Sequence, residues 1–141
     1  MRKQFAKTVS EIFKKDKKVV ALLGDIGVFS FRDLFKFYPK RIYNIGILEQ
    51  SMISMAAGLS NEGFKPIVHT IAPFMVSRAL EQLKIDFGYN KLGGNFVSIG
   101  ASYDYAALGC THHCPEDINL MHNIPNMEIV VPGNSKEFNQ L

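Results

Sequence analysis

Val19-Val20-Ala21-Leu22-Leu23-Gly24-Asp25 is the stretch on which the fold turns. Five apolar residues run without a polar interruption and end at a Gly-Asp turn. A strand with one wet face would alternate polar and apolar residues. A continuous short run fits a strand covered on both sides, as in the interior of a parallel sheet. Toward the N-terminus, Phe5, Val9, Ile12 and Phe13 recur at helical spacing, which predicts an amphipathic helix over residues 4–15. Toward the C-terminus, a loop with Gly27 and Ser30 leads to a short helix at 32–37, stopped by Pro39, and a short strand at 41–44.

Residues 49–61 read as a helix in which Ala56, Ala57 and Gly58 offer a slim surface for close packing, ended by Gly63. A strand follows at 66–70. Pro73 suits the first turn of another helix, where its missing N–H costs nothing. Val76, Leu80, Leu83 and Phe87 give that helix a core stripe. Gly93-Gly94 precedes a strand at 96–99, and a loop through Gly109 and His113 leads to a helix starting at Pro115, with Glu116 and Asp117 in its first turn. A last strand is expected at 127–131, and Asn134 with Glu137 forms a capping pattern for a final helix.

Strands that alternate with helices predict an α/β fold: a three-layer, mostly parallel twisted sheet flanked by helices. Ligands in such sheets bind beyond the strand ends, so the loops after residues 23, 44, 70 and 99 are the places to search. Residues 1–141 are expected to form one domain, incomplete at its C-terminus because the chain stops early in its last helix.

Composition is ordinary for a globular protein, at 47% hydrophobic and 21% charged residues, and excludes little by itself. Much of the +3 net charge comes from Lys14, Lys15, Lys17 and Lys18 around Asp16. These lysines suit the negative end of a helix dipole. No basic stripe interleaved with aromatics follows, so nucleic-acid binding is not expected. No apolar run approaches the roughly 20 residues of a membrane span. Gln4, Lys7 and Glu11 interrupt any secretory segment after Met1-Arg2-Lys3. Two cysteines without an export signal point to a reducing cytoplasm and free thiols.

Gly24-Asp25-Ile26-Gly27 lacks the glycines of a dinucleotide fingerprint and alone is a turn. Gly46-Ile47-Leu48-Glu49-Gln50 says more. An acid at a helix start is commonly a dipole-compatible residue. Here Ile45, Ile47 and Leu48 flank it, and Met52, Ile53, Met55 and Ala56 follow, so Glu49 is set in apolar surface. Burial raises a carboxyl pKa and a helix N-terminus lowers it. A glutamic acid that must keep a proton needs burial to win. Cys110-Thr111-His112-His113-Cys114 holds four possible zinc ligands, but neighbours on so short a segment rarely converge on one ion, and no metal site is assigned. His69 and His122 read as structural or surface histidines.

Asn44-Ile45-Gly46-Ile47-Leu48-Glu49-Gln50, Ala56-Ala57-Gly58-Leu59, Gly63-Phe64-Lys65-Pro66, Arg78-Ala79-Leu80-Glu81-Gln82, Gly109-Cys110-Thr111-His112-His113 and Ile124-Pro125-Asn126-Met127 occur in this order. Together they resemble the pyrimidine-binding domain of transketolase-like thiamine diphosphate enzymes, over nearly the whole chain. The likeness is nearer to transketolases and 1-deoxyxylulose-5-phosphate synthases than to the beta subunits of 2-oxoacid dehydrogenases.

The resemblance implies the thiamine diphosphate-binding fold and a transferase that moves a ketol unit between sugar phosphates. Glu49 matches the glutamate that hydrogen-bonds N1′ of the aminopyrimidine, favouring the tautomer whose 4′-nitrogen takes the proton from C2 of the thiazolium. Phe74 matches the aromatic that stacks on the pyrimidine, and Ile71 stands where relatives often have a second aromatic. Asp25 and Ile26 match the cofactor-facing loop after the first strand. Arg78 and Gln82 match polar positions near the pyrimidine, although the spacing after Phe74 is one residue longer than in some relatives. His112 matches a catalytic histidine that contacts the substrate. Leu108 replaces an acidic residue that recognises a sugar hydroxyl in many transketolases.

The Gly-Asp-Gly…Asn segment that holds Mg2+ and the diphosphate in this family does not occur here. It is expected on a diphosphate-binding partner domain or N-terminal subunit, in a homo- or hetero-oligomer, with negligible activity for this chain alone. Three alternatives stand beside this reading: a 2-oxoacid dehydrogenase or decarboxylase component, a non-catalytic association module, and a small metal-binding module.

Overall fold

The computed structural model describes residues 1–141. Helix α1, Arg2–Lys15, packs through Phe5, Val9 and Phe13. Strand β1, Val19–Leu23, is buried at every position, as its unbroken apolar run predicts. Helix α2, Arg32–Phe37, and strand β2, Ile42–Asn44, follow. Helix α3, Glu49–Asn61, leads to strand β3, Lys65–Ile71. The short helices α4, Ala72–Val76, and α5, Leu80–Gln82, lead to strand β4, Asn95–Ile99. Helices α6, Asp117–His122, and α7, Ser135–Phe138, complete the chain. No helix is long and apolar enough to cross a membrane.

The four strands are parallel in the order β2-β1-β3-β4. Side-chain alternation along β1 builds the layers on both faces. Val20 and Leu22 join a core with Met52, Ile53, Ala56, Val68, Met75 and Leu83 under α3 and α4. Val19, Ala21 and Leu23 join Phe5, Val9, Phe13, Phe31, Leu34 and Ile67 under α1 and α2. This is the expected three-layer α/β arrangement. The chain leaves β1 to one side for β2 and returns on the other side for β3, so the order of strand addition reverses between β1 and β3 while the strands stay parallel. Crevices open at the C-terminal ends of strands at such a point. There Gly24 approaches β3 so closely that an added Cβ would lie 2.8 Å from Thr70 Oγ1.

Three expectations need correction. Residues 127–131 form no strand, and Ile129, Val130 and Val131 are exposed. An apolar β-prone run becomes a strand only where an edge is there to pair with it, and this run pairs with none. The last full helix before it begins at Asp117, with Glu116 as its N-cap, instead of at Pro115. The helix expected from Pro73 through Phe87 is broken. After α4, the amides of both Ser77 and Arg78 bond to the Pro73 carbonyl, at 2.9 and 3.1 Å, which makes a widened turn. Residues Leu83–Tyr89 then wind as a π-helix. Such local widening absorbs an extra residue without ending the run. Val76, Leu83 and Phe87 stay buried as the stripe required. The expected cap is present: Asn134 Oδ1 accepts from the amides of Lys136 and Glu137.

Candidate functional site

Glu49 occupies the first turn of α3, preceded by Gly46 at φ 81°, a left-handed conformation that favours glycine. The approach to it is fixed from β1. Asn44 Oδ1 accepts from the amides of Asp25 and Gly46, at 3.0 and 3.3 Å, and Asn44 Nδ2 donates to Asp25 Oδ1 at 2.9 Å. This clamp joins the loops after β1 and β2 and holds Asp25 at φ 54°. Sequence reading named Asp25 and missed Asn44 as a working residue. The signal was there, because Asn-x-Gly is the signature of a side chain that bonds its own backbone two residues on.

The Glu49 side chain points inward and is 1% exposed. Its Oε1 lies 3.4 Å from the buried Thr70 hydroxyl, and its Oε2 accepts from Arg78 Nη1 at 2.6 Å. Glu49 is thus buried as expected, but by the helix face it shares with Met52, Ile53 and Ala56, since the flanking Ile47 and Leu48 are exposed. The ion pair is asymmetric, since the Arg78 side chain is 37% exposed. Thr70 is a second residue that sequence reasoning missed, and only the register of β3 against α3 brings it to Glu49.

Phe74, in α4, lies beside this pair. The Arg78 guanidinium carbon stands 4.0 Å over its ring centroid, and the His112 ring meets it in a T-shaped contact at 5.2 Å. Phe74 and Arg78, four residues apart, thus join Glu49 and His112 from distant parts of the sequence in one continuous cluster. His112 Nδ1 is 3.0 Å from Thr111 Oγ1, and the Tyr105 ring lies edge-on to His112 with centroids 6.1 Å apart. Ile71 ends β3 and is half-buried, as is Ile26 in the turn after β1. Gln82 lies in α5, where its Oε1 is buried without a hydrogen-bond partner. Leu108 is exposed, four residues before His112 and separated from it by the break at Gly109. Two surface hollows, of about 370 and 450 Å³, lie elsewhere, between α1 and α7 and beside α3.

The titratable groups outside the cluster have structural surroundings. Burial holds the His69 imidazole below its ordinary range, opposed by the Val97 carbonyl 2.6 Å from Nδ1 and aided by Arg2. Burial pushes the Cys114 thiol up to about 11, while Cys110 is exposed. No group of three or more His, Cys, Asp or Glu side chains converges in a metal-binding arrangement.

A parallel sheet with helices on both faces, and with a buried acid and an aromatic near its topological switch, places the chain in the doubly wound α/β class. The chain belongs to the transketolase pyrimidine-binding domain family, whose model matches residues 1–141. It is 40% identical to an uncharacterized 33.6 kDa protein in the fasciation locus of Rhodococcoides fascians, over 94% of this chain and 43% of that protein. It is 35% identical to one subunit of the apulose-4-phosphate transketolase of Phocaeicola vulgatus, over 99% of this chain and 45% of that protein. A solved structure described as a split gene transketolase, inactive beta4 tetramer, superposes with a TM-score of 0.85 at 32% identity, covering 98% of this chain and 44% of that one. The chain thus spans less than half the length of these relatives.

Proposed function

We propose that the chain is the pyrimidine-binding half of a thiamine diphosphate-dependent transketolase-type enzyme that moves a ketol unit between sugar phosphates. The observation that carries this reading is Glu49, an acid buried in the first turn of α3 beside the Phe74 ring and within one contact of His112. A buried carboxyl next to an aromatic face suits a flat nitrogen heterocycle.

Thiamine diphosphate, when bound, supplies the electron sink for breaking and making a carbon–carbon bond. In this reading Glu49 holds a proton at a ring nitrogen of the pyrimidine, and Phe74 gives the stacking face. Arg78 and Gln82 edge that seat, with Asp25, Ile26 and Ile71 lining its approach from the strand ends. His112 exchanges protons or hydrogen bonds with the substrate hydroxyls. Diphosphate and Mg2+ are assigned to a second domain or subunit, in a homo- or hetero-oligomer. A relative named as one subunit of a transketolase and a solved relative described as inactive in its beta4 form both support a two-part enzyme. The exposed, apolar Leu108 favours one alternative, a 2-oxoacid substrate in place of a sugar phosphate.

The test is reconstitution of the chain with a diphosphate-binding partner, followed by ketol-transfer and 2-oxoacid assays. Glu49→Gln is expected to keep the fold and remove most turnover. Near-normal turnover in that variant rejects the assignment, and turnover of 2-oxoacids alone replaces the sugar-phosphate reading.

A further inference from the structure

Reading Glu49 and Phe74 as cofactor contacts with Arg78 at the edge of their seat leaves one thing unexplained: here the Arg78 guanidinium itself takes both residues. Glu49 Oε1 faces the buried Thr70 hydroxyl, so Oε2 is the oxygen on the open side. Arg78 Nη1 takes that oxygen at 2.6 Å while its guanidinium carbon stands 4.0 Å over the Phe74 ring centroid. A guanidinium is flat, cationic and rimmed with N–H donors. An aminopyrimidine protonated on its ring is flat, cationic and bears N–H donors too. One arginine therefore makes both contacts proposed for the ring: stacking on Phe74 and bonding to Glu49.

We propose that the Arg78 guanidinium is an internal stand-in for the ligand, occupying the seat of a flat amidine-like heterocycle and leaving it when that heterocycle binds. The proposal rests on the reading of Glu49 and Phe74 given above. The backbone provides the pivot. Arg78 sits in the widened turn in which its own amide and that of Ser77 share the Pro73 carbonyl. The side chain is already 37% exposed, so its charged end has solvent to move into. Loading then exchanges one planar donor for another over a carboxyl that is never left bare. The apparent affinity is reduced by the fraction of molecules in which Arg78 is seated.

Calorimetric titration of the full chain with 4-amino-2-methylpyrimidine tests the exchange. Arg78→Met keeps the apolar stem and removes the guanidinium, and it is expected to bind the probe about tenfold more tightly than the wild type or better. Arg78→Lys keeps a cation for Glu49, protecting the fold, but an ammonium cannot lie flat on the ring. It too is expected to bind more tightly than the wild type, and it decides the matter if Arg78→Met does not fold. Adding Glu49→Gln to either variant is expected to abolish the gain, and methylguanidinium is expected to compete with the probe in Arg78→Met. Wild-type binding as tight as, or tighter than, that of the Arg78 variants overturns the stand-in while leaving the seat itself standing. Binding to none of the three proteins overturns the seat, and the stand-in with it.

Discussion

The two halves of the Glu49–Arg78 pair are expected to differ in what their loss costs, because only one of them is buried. Glu49→Gln preserves shape, and the new amide oxygen can still accept from Arg78. What disappears is the charge assistance, a difference of about 1 kcal/mol between charged and neutral hydrogen bonds. Arg78 is more than one-third exposed, so water rehydrates it and the loss is discounted further. A melting shift of about 3 °C or less follows for a domain of this size. Arg78→Met does the opposite. It strands a carboxyl that is 1% exposed and has only the 3.4 Å contact to Thr70. Removing one partner from a buried pair costs about 3–5 kcal/mol, and the partial exposure of the arginine places this case near the lower end. The shift should be about 10 °C. The double variant should recover part of that loss, since it removes the stranded charge. Thermal and urea unfolding of the four proteins at neutral pH, followed by circular dichroism, measures the cycle. Equal costs for the two single variants, or a greater cost for Glu49→Gln, would refute the asymmetry and the burial on which it rests.

Two further predictions concern the scaffold. His69 is held below its ordinary pKa by burial, so the unfolded chain binds the extra proton more readily than the folded one. Its contribution is fully present above the unfolded value near 6.5 and is lost as pH falls from there through the folded value. Melting temperatures between pH 7 and 5 should fall accordingly, and His69→Gln should flatten that slope; an unchanged slope removes His69 as the cause. Gly100 stands at φ 73° with its missing Cβ directed into the Tyr105 ring, whereas a Cβ on Gly58, inside α3, meets nothing. Gly100→Ala should cost about 2–3 kcal/mol, and Gly58→Ala should stabilise the chain by up to about 1 kcal/mol, read from urea midpoints. The reverse order would show that the loop at Gly100 relaxes freely.

Hydrophobic pattern determined most of the scaffold without help from the structure. The unbroken run Val19-Val20-Ala21-Leu22-Leu23 requires cover on both faces, and alternating strands and helices require a parallel layered sheet. The helix face that begins at Glu49 predicted its burial, because a helix that presents Ile53 and Ala56 to a core carries its first turn inward with them, whereas the preceding Ile47 and Leu48 stay exposed. Local pattern failed where the outcome depended on a partner. Residues 127–131 have the composition of a strand but no edge to pair with. The stripe from Val76 to Phe87 has helical periodicity, yet the shared Pro73 carbonyl widens the turn at Ser77 and Arg78, which no periodicity records. The site divides in the same way. Sequence supplied Glu49, Phe74 and His112 as separate residues. Tertiary structure decided that Thr70 stands behind the carboxyl, that Asn44 fixes its approach, and that Arg78 covers both the acid and the ring. Those contacts depend on strand register and on the pitch of one turn, and both are properties of the packed chain.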